Sequence, residues 1–343
     1  MKLPLTAAIV GFGNISAGYA DDPLMRKHYN YCSHIQVLSE HPAYDLIAIV
    51  DPDHEARKLA KEKWSIDNCF ESMDELFVFM QVDILIIATP VQHHLSVIRQ
   101  IKNVKAVVIE KPIGIDLKQS REIVNICDDN NILLQVNLWR RADQLYRDLA
   151  DSMLEKYIGV PQVAYGVYGN GLLNNAVHMI DFVNMLFGNI VEVQSIGQQI
   201  KRPNNPIAND PDQGFVLKTE NEVIVTFLPI NFDHYREISL DIWGTEGRFE
   251  ILLEGLVSRV TKKQDNRAIT GEREINPDKQ TYISTSVGEA LWNLYDNLHR
   301  TLAGKESLWS AGKNAIKSEM IVESIGDSVG KNGVAINTNS AYG

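Results

Sequence analysis

The first 140 residues alternate short apolar runs with longer amphipathic stretches. The runs are LTAAIV (5–10), DLIAIVD (45–51), VDILIIATP (82–90), AVVIEKP (106–112) and ILLQVNL (132–138). Runs this short and this uniformly apolar predict strands covered on both faces, as in a parallel sheet. Between them, HEARKLAKEKW (54–64) and HLSVIRQIK (94–102) keep polar residues to one side and predict helices. Strand and helix in alternation predict an α/β architecture, a doubly wound sheet with helices on both faces.

After Arg141 the pattern changes. Alternating segments such as EVIVTFLPI (222–230) and EISLDIWG (237–244), with the turn-rich stretch KRPNNPIANDPDQG (201–214), predict an antiparallel or mixed sheet. The change places a domain boundary near residue 140 and divides the chain into residues 1–140 and 141–343. Amphipathic stretches over 287–302 and 311–329 predict two late helices, ended by Gly304 and Gly330.

Length supports the division, since 343 residues exceed the size at which one hydrophobic core keeps growing. A net charge of −11 and the lack of any basic stripe argue against nucleic acid and anionic membranes as partners. Cys32, Cys69 and Cys127 are odd in number and have no metal-ligand spacing, which predicts reduced thiols and no metal site. The first residues lack a signal-peptide pattern, and no apolar stretch approaches the roughly 20 residues of a spanning helix. A soluble cytoplasmic protein is expected.

The stretch GFGNIS (11–16) follows the first predicted strand directly. Two glycines in that place suit a tight turn and a close approach of backbone to a pyrophosphate; a tight turn with no ligand is the plainer alternative. Gly11, Phe12, Gly13, Asn14 and Ile15 are therefore candidate cofactor contacts. Ser16 stands where such turns have Gly or Ala, and is small enough for close helix packing. Asp51 ends the second strand, where a carboxylate accepts from ribose hydroxyls and repels a 2′-phosphate, which favours NAD over NADP. It lies some 40 residues past the glycines, against about 20 in the standard unit, and the polar segment 17–32 accounts for the excess. Glu110, Lys111 and Pro112 end another strand at the edge where doubly wound sheets bind ligands. A Lys there can set its ammonium beside a nicotinamide, although an exposed Lys is commonly only solvated.

GFGNIS, IVDPD, ATPVQHH, IEKP, GNGLLNNAVHMIDFVNMLFG (169–188) and WGTEGRFEI (243–251) occur in the order seen in the Gfo/Idh/MocA family, and the chain resembles that family over nearly its whole length. The resemblance implies an N-terminal Rossmann domain and a C-terminal α/β domain with an open, mostly antiparallel sheet. It further implies an NAD(P)-dependent oxidoreductase that moves a hydride between nicotinamide and a carbinol or keto carbon of a sugar, nucleotide sugar or cyclitol. Self-association as a homodimer or homotetramer is implied as well, and the Lys111-Pro112 bond is expected to be cis.

By the same resemblance Thr89, Pro90, His94 and Glu110 lie near the cofactor, with a helix-start polar residue as the simpler account of His94. Lys111 matches the lysine that hydrogen-bonds the reacting oxygen, and His178 the acid/base histidine. Hydride leaves a carbinol carbon only as its hydroxyl proton is removed, so a neutral imidazole can serve as base while Lys111 stabilises negative charge on oxygen. A helix from Asn174 would place Asn174, His178 and Asp181 on one face; Asp181 orients the imidazole or is a structural acceptor. Many sugar and inositol dehydrogenases of the family have Asp where this chain has Asn174, which cannot take a proton. Arg140 or Arg141 is a further candidate for an anionic substrate group. The same parts also suit an NAD-dependent glycosidase or lyase with transient redox, and a dinucleotide-sensing regulator.

Overall fold

The computed structural model describes residues 4–338. The outermost ends of the two expected domains, residues 1–3 and 339–343, lie outside the described residues. The chain forms two compact units: residues up to Ala142 with Gly288–Ile316, and Asp143–Val287 with the residues from Lys317 onward. The first crossing falls close to the expected boundary, but the chain then returns. The late helix that the hydrophobic pattern assigned to the second domain belongs to the first unit.

The first unit is built on β1 (Leu5–Val10), α1 (His34–Glu40), β2 (Tyr44–Val50), α2 (His54–Trp64), β3 (Cys69–Phe70), α3 (Met73–Phe79), β4 (Ile84–Ile87), α4 (His94–Ile98), β5 (Ala106–Ile109), α5 (Leu117–Asp129) and β6 (Leu133–Val136). The six strands pair in parallel in the order β3-β2-β1-β4-β5-β6. That order reverses direction between β1 and β4, the switch point at which such sheets bind ligands. Both faces are covered. Ala8, Val10, Leu85, Ile87, Val107 and Ile109 enter one core, while Ala7, Ile9, Ile84, Ile86, Ala106 and Val108 enter the other. This two-residue alternation inside uniformly apolar runs is the reason the strands read as unbroken hydrophobic stretches.

Segment 17–32 is an excursion between β1 and α1 that buries Ala17, Ala20 and Cys32 and packs Tyr31 against the core of the first unit. The turn after β1 begins a helix, with the Ala17 N–H donating to the Gly13 carbonyl. The chain then departs, and the Ile15 and Ser16 carbonyls accept instead from the N–H groups of His34 and Ile35, at 3.0 and 2.9 Å. His34 and Ile35 thus occupy the places that the fourth residues beyond Ile15 and Ser16 would fill in an unbroken helix. Without the excursion about 25 residues separate Gly11 from Asp51, close to the usual spacing.

The second unit contains α6 (Gln144–Asp148), α7 (Leu154–Ile158), β7 (Pro161–Tyr168), α8 (Val177–Phe187), β8 (Ile190–Ile200), β9 (Asp212–Thr219), β10 (Ile224–Pro229), β11 (Ser239–Gly244), β12 (Gly247–Leu252), β13 (Val257–Asp265) and β14 (Arg273–Ile283). The chain next forms α9 (Ala290–Leu302) in the first unit, passes through α10 (Gly312–Gly330) and ends in β15 (Ile336–Asn337) of the second. The nine strands run β14-β13-β12-β11-β7-β10-β9-β8-β15, antiparallel except for the parallel pair β7–β10.

One face of this sheet packs on a core that includes Phe182, Val183, Ile321 and Ile325 from α8 and α10. The other face is open. Val163 and Tyr165 on β7 stand opposite Ile224 and Thr226 on β10, and Val163, Tyr165, Ile224 and Leu228 are exposed. On β11, β12 and β13 the same face carries a charge ladder in which Arg248 holds Asp241 bidentately, at 2.7 and 2.6 Å, and Arg259 holds Glu250 at 2.7 and 2.8 Å.

Candidate active site and dinucleotide turn

The turn between β1 and α1 is shaped by its two glycines in different ways. Gly11 has φ +88°, and a Cβ there would stand 2.8 Å from the Ala88 carbonyl oxygen and from the Thr89 nitrogen at the end of β4. A Cβ on Gly13 would meet nothing within 4 Å. The first glycine therefore lets the turn seat against β4, and the second keeps open the space that a pyrophosphate approaches. Ser16 is fully buried and its hydroxyl donates to the Gly11 carbonyl at 2.6 Å. A residue that looked like a tolerated substitute is thus a strut across the turn.

Asp51 ends β2 as expected, and its carboxylate joins the turn directly. One oxygen accepts from the Phe12 N–H at 2.7 Å and the other from the Asp53 N–H at 2.8 Å. Carboxylate oxygens accept more than one hydrogen bond, so ribose hydroxyls remain within its capacity. Thr89, beside Gly11, has a buried hydroxyl oxygen with no hydrogen-bond partner. The open approach at Gly13, this orphaned hydroxyl and the strand-end carboxylate all fit a dinucleotide.

His94 opens α4 and is buried. Its Nδ1 lies 3.0 Å from the Ile113 carbonyl and its Nε2 3.0 Å from the Thr89 carbonyl. Burial pushes the ring below the ordinary histidine value, against the two carbonyls, which act to raise it. Both nitrogens are directed at backbone, so His94 ties the β4 loop to the loop after Lys111 instead of acting as a simple helix-start residue. The Lys111-Pro112 bond is cis.

Glu110 precedes Lys111 at the end of β5 and carries contacts that sequence reasoning missed. Its Oε1 accepts from Asn137 Nδ2 at 2.6 Å and lies 3.0 Å from His34 Nε2. His34 Nδ1 is in turn 2.8 Å from the hydroxyl of Tyr295, a fully buried residue of α9. Burial acts to raise the Glu110 carboxyl, yet His34, Asn137 and the neighbouring Lys111 charge outweigh it and hold the group below the usual value. No local motif joins these residues, because His34, Glu110 and Tyr295 are brought together only by the sheet and the returning segment.

In the second unit the segment bearing Asn174, His178 and Asp181 starts with a wide helical turn, Leu172–Ala176, in which the Ala176 N–H reaches back five residues to the Gly171 carbonyl. That turn advances less per residue than an α-helix, so Asn174 departs from the simple four-residue register with His178 that the sequence suggested. His178 and Asp181 are buried on α8, and Ser318 of α10 donates to Asp181 at 3.2 Å.

The tripeptide Asp210-Pro211-Asp212 caps the start of this segment. Its Asp212 carboxylate accepts from the Gly171 N–H at 2.7 Å, the Pro211 carbonyl from Leu172 at 3.0 Å, and the Asp210 carboxylate from Leu173 and Asn174, both at 2.9 Å. The four N–H groups that a helix start leaves unpaired are thereby all satisfied. Arg202 pairs with Asp212. Burial, chiefly, pushes the Asp210 carboxyl up to about 6, with Asp212 adding to the effect and the backbone N–H groups opposing it. The sequence signal was present as NDPDQ but read only as a turn. Arg140 is buried and stacks over Trp139 at 4.3 Å; Arg141 is less buried.

No helix among the described residues is long and apolar enough to cross a membrane, and no three His, Cys, Asp or Glu side chains among them are grouped to hold a metal ion.

Comparison with known proteins agrees with this architecture. Residues 5–138 match the family described as "Oxidoreductase family, NAD-binding Rossmann fold", and residues 163–250 match the Gfo/Idh/MocA C-terminal domain. The chain belongs to the Gfo/Idh/MocA oxidoreductase family, and its first unit is an NAD-binding Rossmann fold. It is 26% identical over 171 residues to trans-1,2-dihydrobenzene-1,2-diol dehydrogenase of Mus musculus, covering 44% of this chain and 51% of the relative. It is also 26% identical over 226 residues to scyllo-inositol 2-dehydrogenase (NAD(+)) of Bacillus subtilis (strain 168), covering 60% of each. The matches thus span about half to three fifths of these relatives. An oxidoreductase from Agrobacterium radiobacter, crystallised with NAD+, L-tartaric acid and magnesium, shares the fold with a TM-score of 0.74 at 16% identity, over 98% of this chain and 99% of that one.

Proposed function

We propose that the protein is an NAD-dependent dehydrogenase or ketoreductase acting on a carbinol or keto carbon of a polyol-like substrate, in the class of sugars, nucleotide sugars and cyclitols. The observation that carries this reading is the placement of Lys111 at the carboxyl end of β5, in the unit whose switch point bears the open Gly13 turn and the Asp51 carboxylate.

When bound, a nicotinamide dinucleotide supplies the hydride acceptor or donor. Gly11, Phe12, Gly13, Asn14 and Ile15 would hold its phosphates, Asp51 its ribose, and Thr89 and Pro90 the neighbouring edge. The Asp51 carboxylate favours NAD over NADP by like-charge repulsion. Lys111 stabilises negative charge on the reacting oxygen, and His178 takes or returns the hydroxyl proton. Asp181 and Asn174 act beside it. Asn174 donates to and accepts from a hydroxyl but holds no proton, which argues for a substrate other than inositol. The relatives named for a cyclitol and a cyclic diol support the class, without naming the substrate. The exposed stripe of Val163, Tyr165, Ile224 and Leu228 supports self-association as a homodimer or homotetramer, a mass that sedimentation velocity reads.

The test pairs binding with turnover. Thermal midpoints are measured with NAD, NADH, NADP and NADPH, and the best cofactor is then used with a panel of sugars, nucleotide sugars and cyclitols. A ligand at a hundredfold excess over its dissociation constant stabilises by about 2.7 kcal/mol, so the ranking is readable. Lys111→Ala should keep the NAD shift and lose turnover. Near-normal turnover in that variant would overturn the catalytic assignment, and NADPH outranking NADH would overturn the reading of Asp51. Glycoside cleavage without net NADH would point to the transient-redox alternative.

A further inference from the structure

Asn174 and Asn175 are the same residue twice in succession, and the fold gives them different tasks. Asn175 is buried and its Nδ2 donates to the Gly169 carbonyl at 2.7 Å, so its carboxamide is committed to the backbone just before the turn. Asn174 is only half-buried, which leaves its carboxamide within reach of a small molecule. The direction in which it is presented follows from its backbone, and that backbone is unusual. The Gly171 carbonyl accepts from both the Asn175 and the Ala176 N–H, at 3.1 and 3.2 Å, which makes the turn wider than an α turn. Such turns are rare, and one persists where its surroundings hold it.

The tripeptide Asp210-Pro211-Asp212 holds this one. Three consecutive residues meet four consecutive N–H groups, and Asp210 takes the last two, Leu173 with one carboxylate oxygen and Asn174 with the other. A Cβ on Gly171 would collide with the Asp210 carboxylate, so the glycine is what admits the acid this close to the turn. Asp210 is itself fixed. Its backbone carbonyl accepts from Asn205 Nδ2 at 2.6 Å, and Arg202 pairs with the neighbouring Asp212.

We propose that Asp210 is a positioning residue for Asn174, holding the wide turn in the form that presents the Asn174 carboxamide to substrate. The proposal rests on Asn174 being a substrate contact of the function proposed above. Asp210 acts through the Asn174 backbone, since both of its carboxylate oxygens are directed at N–H groups of the turn. Without that carboxylate the Leu173 and Asn174 N–H groups lose their acceptors. The turn is then released toward the four-residue register of α8, and the Asn174 carboxamide swings with its backbone.

Two measurements test this, the first without substrate. In a crystal structure of Asp210→Ala, the Ala176 N–H should bind the Leu172 carbonyl in place of the Gly171 carbonyl. An unchanged wide turn, with Asn174 in its wild-type place, would overturn the proposal. The second is a kinetic cycle near pH 8, where Asp210 is ionised, on whichever member of the sugar, nucleotide-sugar and cyclitol panel is turned over fastest. Asp210→Ala and Asn174→Ala should each lower kcat/KM about tenfold. Added to Asn174→Ala, Asp210→Ala should lower it by less than about a further twofold, because the group it positions is gone. Losses that multiply in the double variant would overturn the proposal and leave Asp210 a structural cap, as would wild-type kcat/KM in Asp210→Ala alone. Asp210→Asn, with one carbonyl oxygen in place of two carboxylate oxygens, should fall between Ala and wild type, and it carries the same cycle should Asp210→Ala not fold. Unchanged kcat/KM in Asn174→Ala would refute the substrate role given to Asn174 above, and this proposal with it, even where the crystal shows the turn relaxed.

Discussion

Gly11→Ala and Gly13→Ala add the same methyl group two residues apart, and the surroundings make opposite demands on it. At position 11 the methyl meets the β4 backbone and the residue must hold a positive φ, so the apoprotein itself should lose stability by more than about 1 kcal/mol. At position 13 the methyl meets no protein atom, so the apoprotein should unfold within about 0.5 kcal/mol of wild type. The affinity for NAD should nevertheless fall at least tenfold, since the methyl occupies the approach of the pyrophosphate. Urea unfolding without ligand and fluorescence titration with NADH separate the two effects. Equal apoprotein losses at both positions would remove the distinction. Ser16 belongs to the same scale: the sequence showed a small residue in a place reserved for Gly or Ala, but only the fold shows its hydroxyl bound to the Gly11 carbonyl.

The helix that carries His178 depends on a cap from elsewhere in the chain. Its first residues are Gly, Leu, Leu and Asn, and the carboxylates that serve it come from the far side of β8. Because the folded value of Asp210 lies near 6, above the ordinary 3.8, its contribution to stability is fully present below about pH 4 and is lost as pH rises through 6. Relative to Asp210→Asn, the wild-type protein should therefore lose on the order of 2 kcal/mol between pH 4 and pH 7. Urea midpoints of the two proteins across that range give the difference directly, and parallel curves would show that Asp210 ionises normally. The strands of the first sheet were legible because each carries its own burial pattern. The cap was not, since a buried carboxylate and a turn-forming one are the same letter, and only the distant Gly171–Asn174 backbone tells them apart.

For the molecule as a whole, the two sheets were legible in the hydrophobic pattern, but the return of Gly288–Ile316 to the first unit was not. The apolar face of α9, with Leu291, Leu294, Tyr295 and Leu298, announces a helix that must be covered and does not say by what. It is covered by α1 and its neighbours, where Trp292 packs at a tilt against Tyr31 and His41, ring centroids 4.7 and 4.4 Å apart. That packing has a pH signature. Burial, with the nearby His299 charge adding to it, pushes His41 down to about 4. A depressed histidine leaves stability intact above about pH 6.5 and removes it as pH falls toward 4, when the unfolded chain takes up the proton first. His41→Asn keeps an acceptor for the Ala43 N–H that His41 Nδ1 now binds at 3.2 Å. It should flatten this acid limb by on the order of 2 kcal/mol, measured by urea unfolding at pH 4.5 and 7. An unchanged limb would place the acid sensitivity elsewhere.

The excursion over 17–32 has a consequence for how such a chain can change. Its two ends meet in helical register, so the strands on either side keep their places, while Tyr31 near its far end fastens it to α9 through Trp292 and to the Gly288 carbonyl. Joining Ser16 directly to Cys32 would put His34 four residues after Ile15, the spacing of the hydrogen bond already present, and a longer segment could be spliced in at the same seam. Variation in length there is decoupled from the sheet beneath it, which makes this border of the dinucleotide turn a place where new contacts can be acquired without renegotiating the fold.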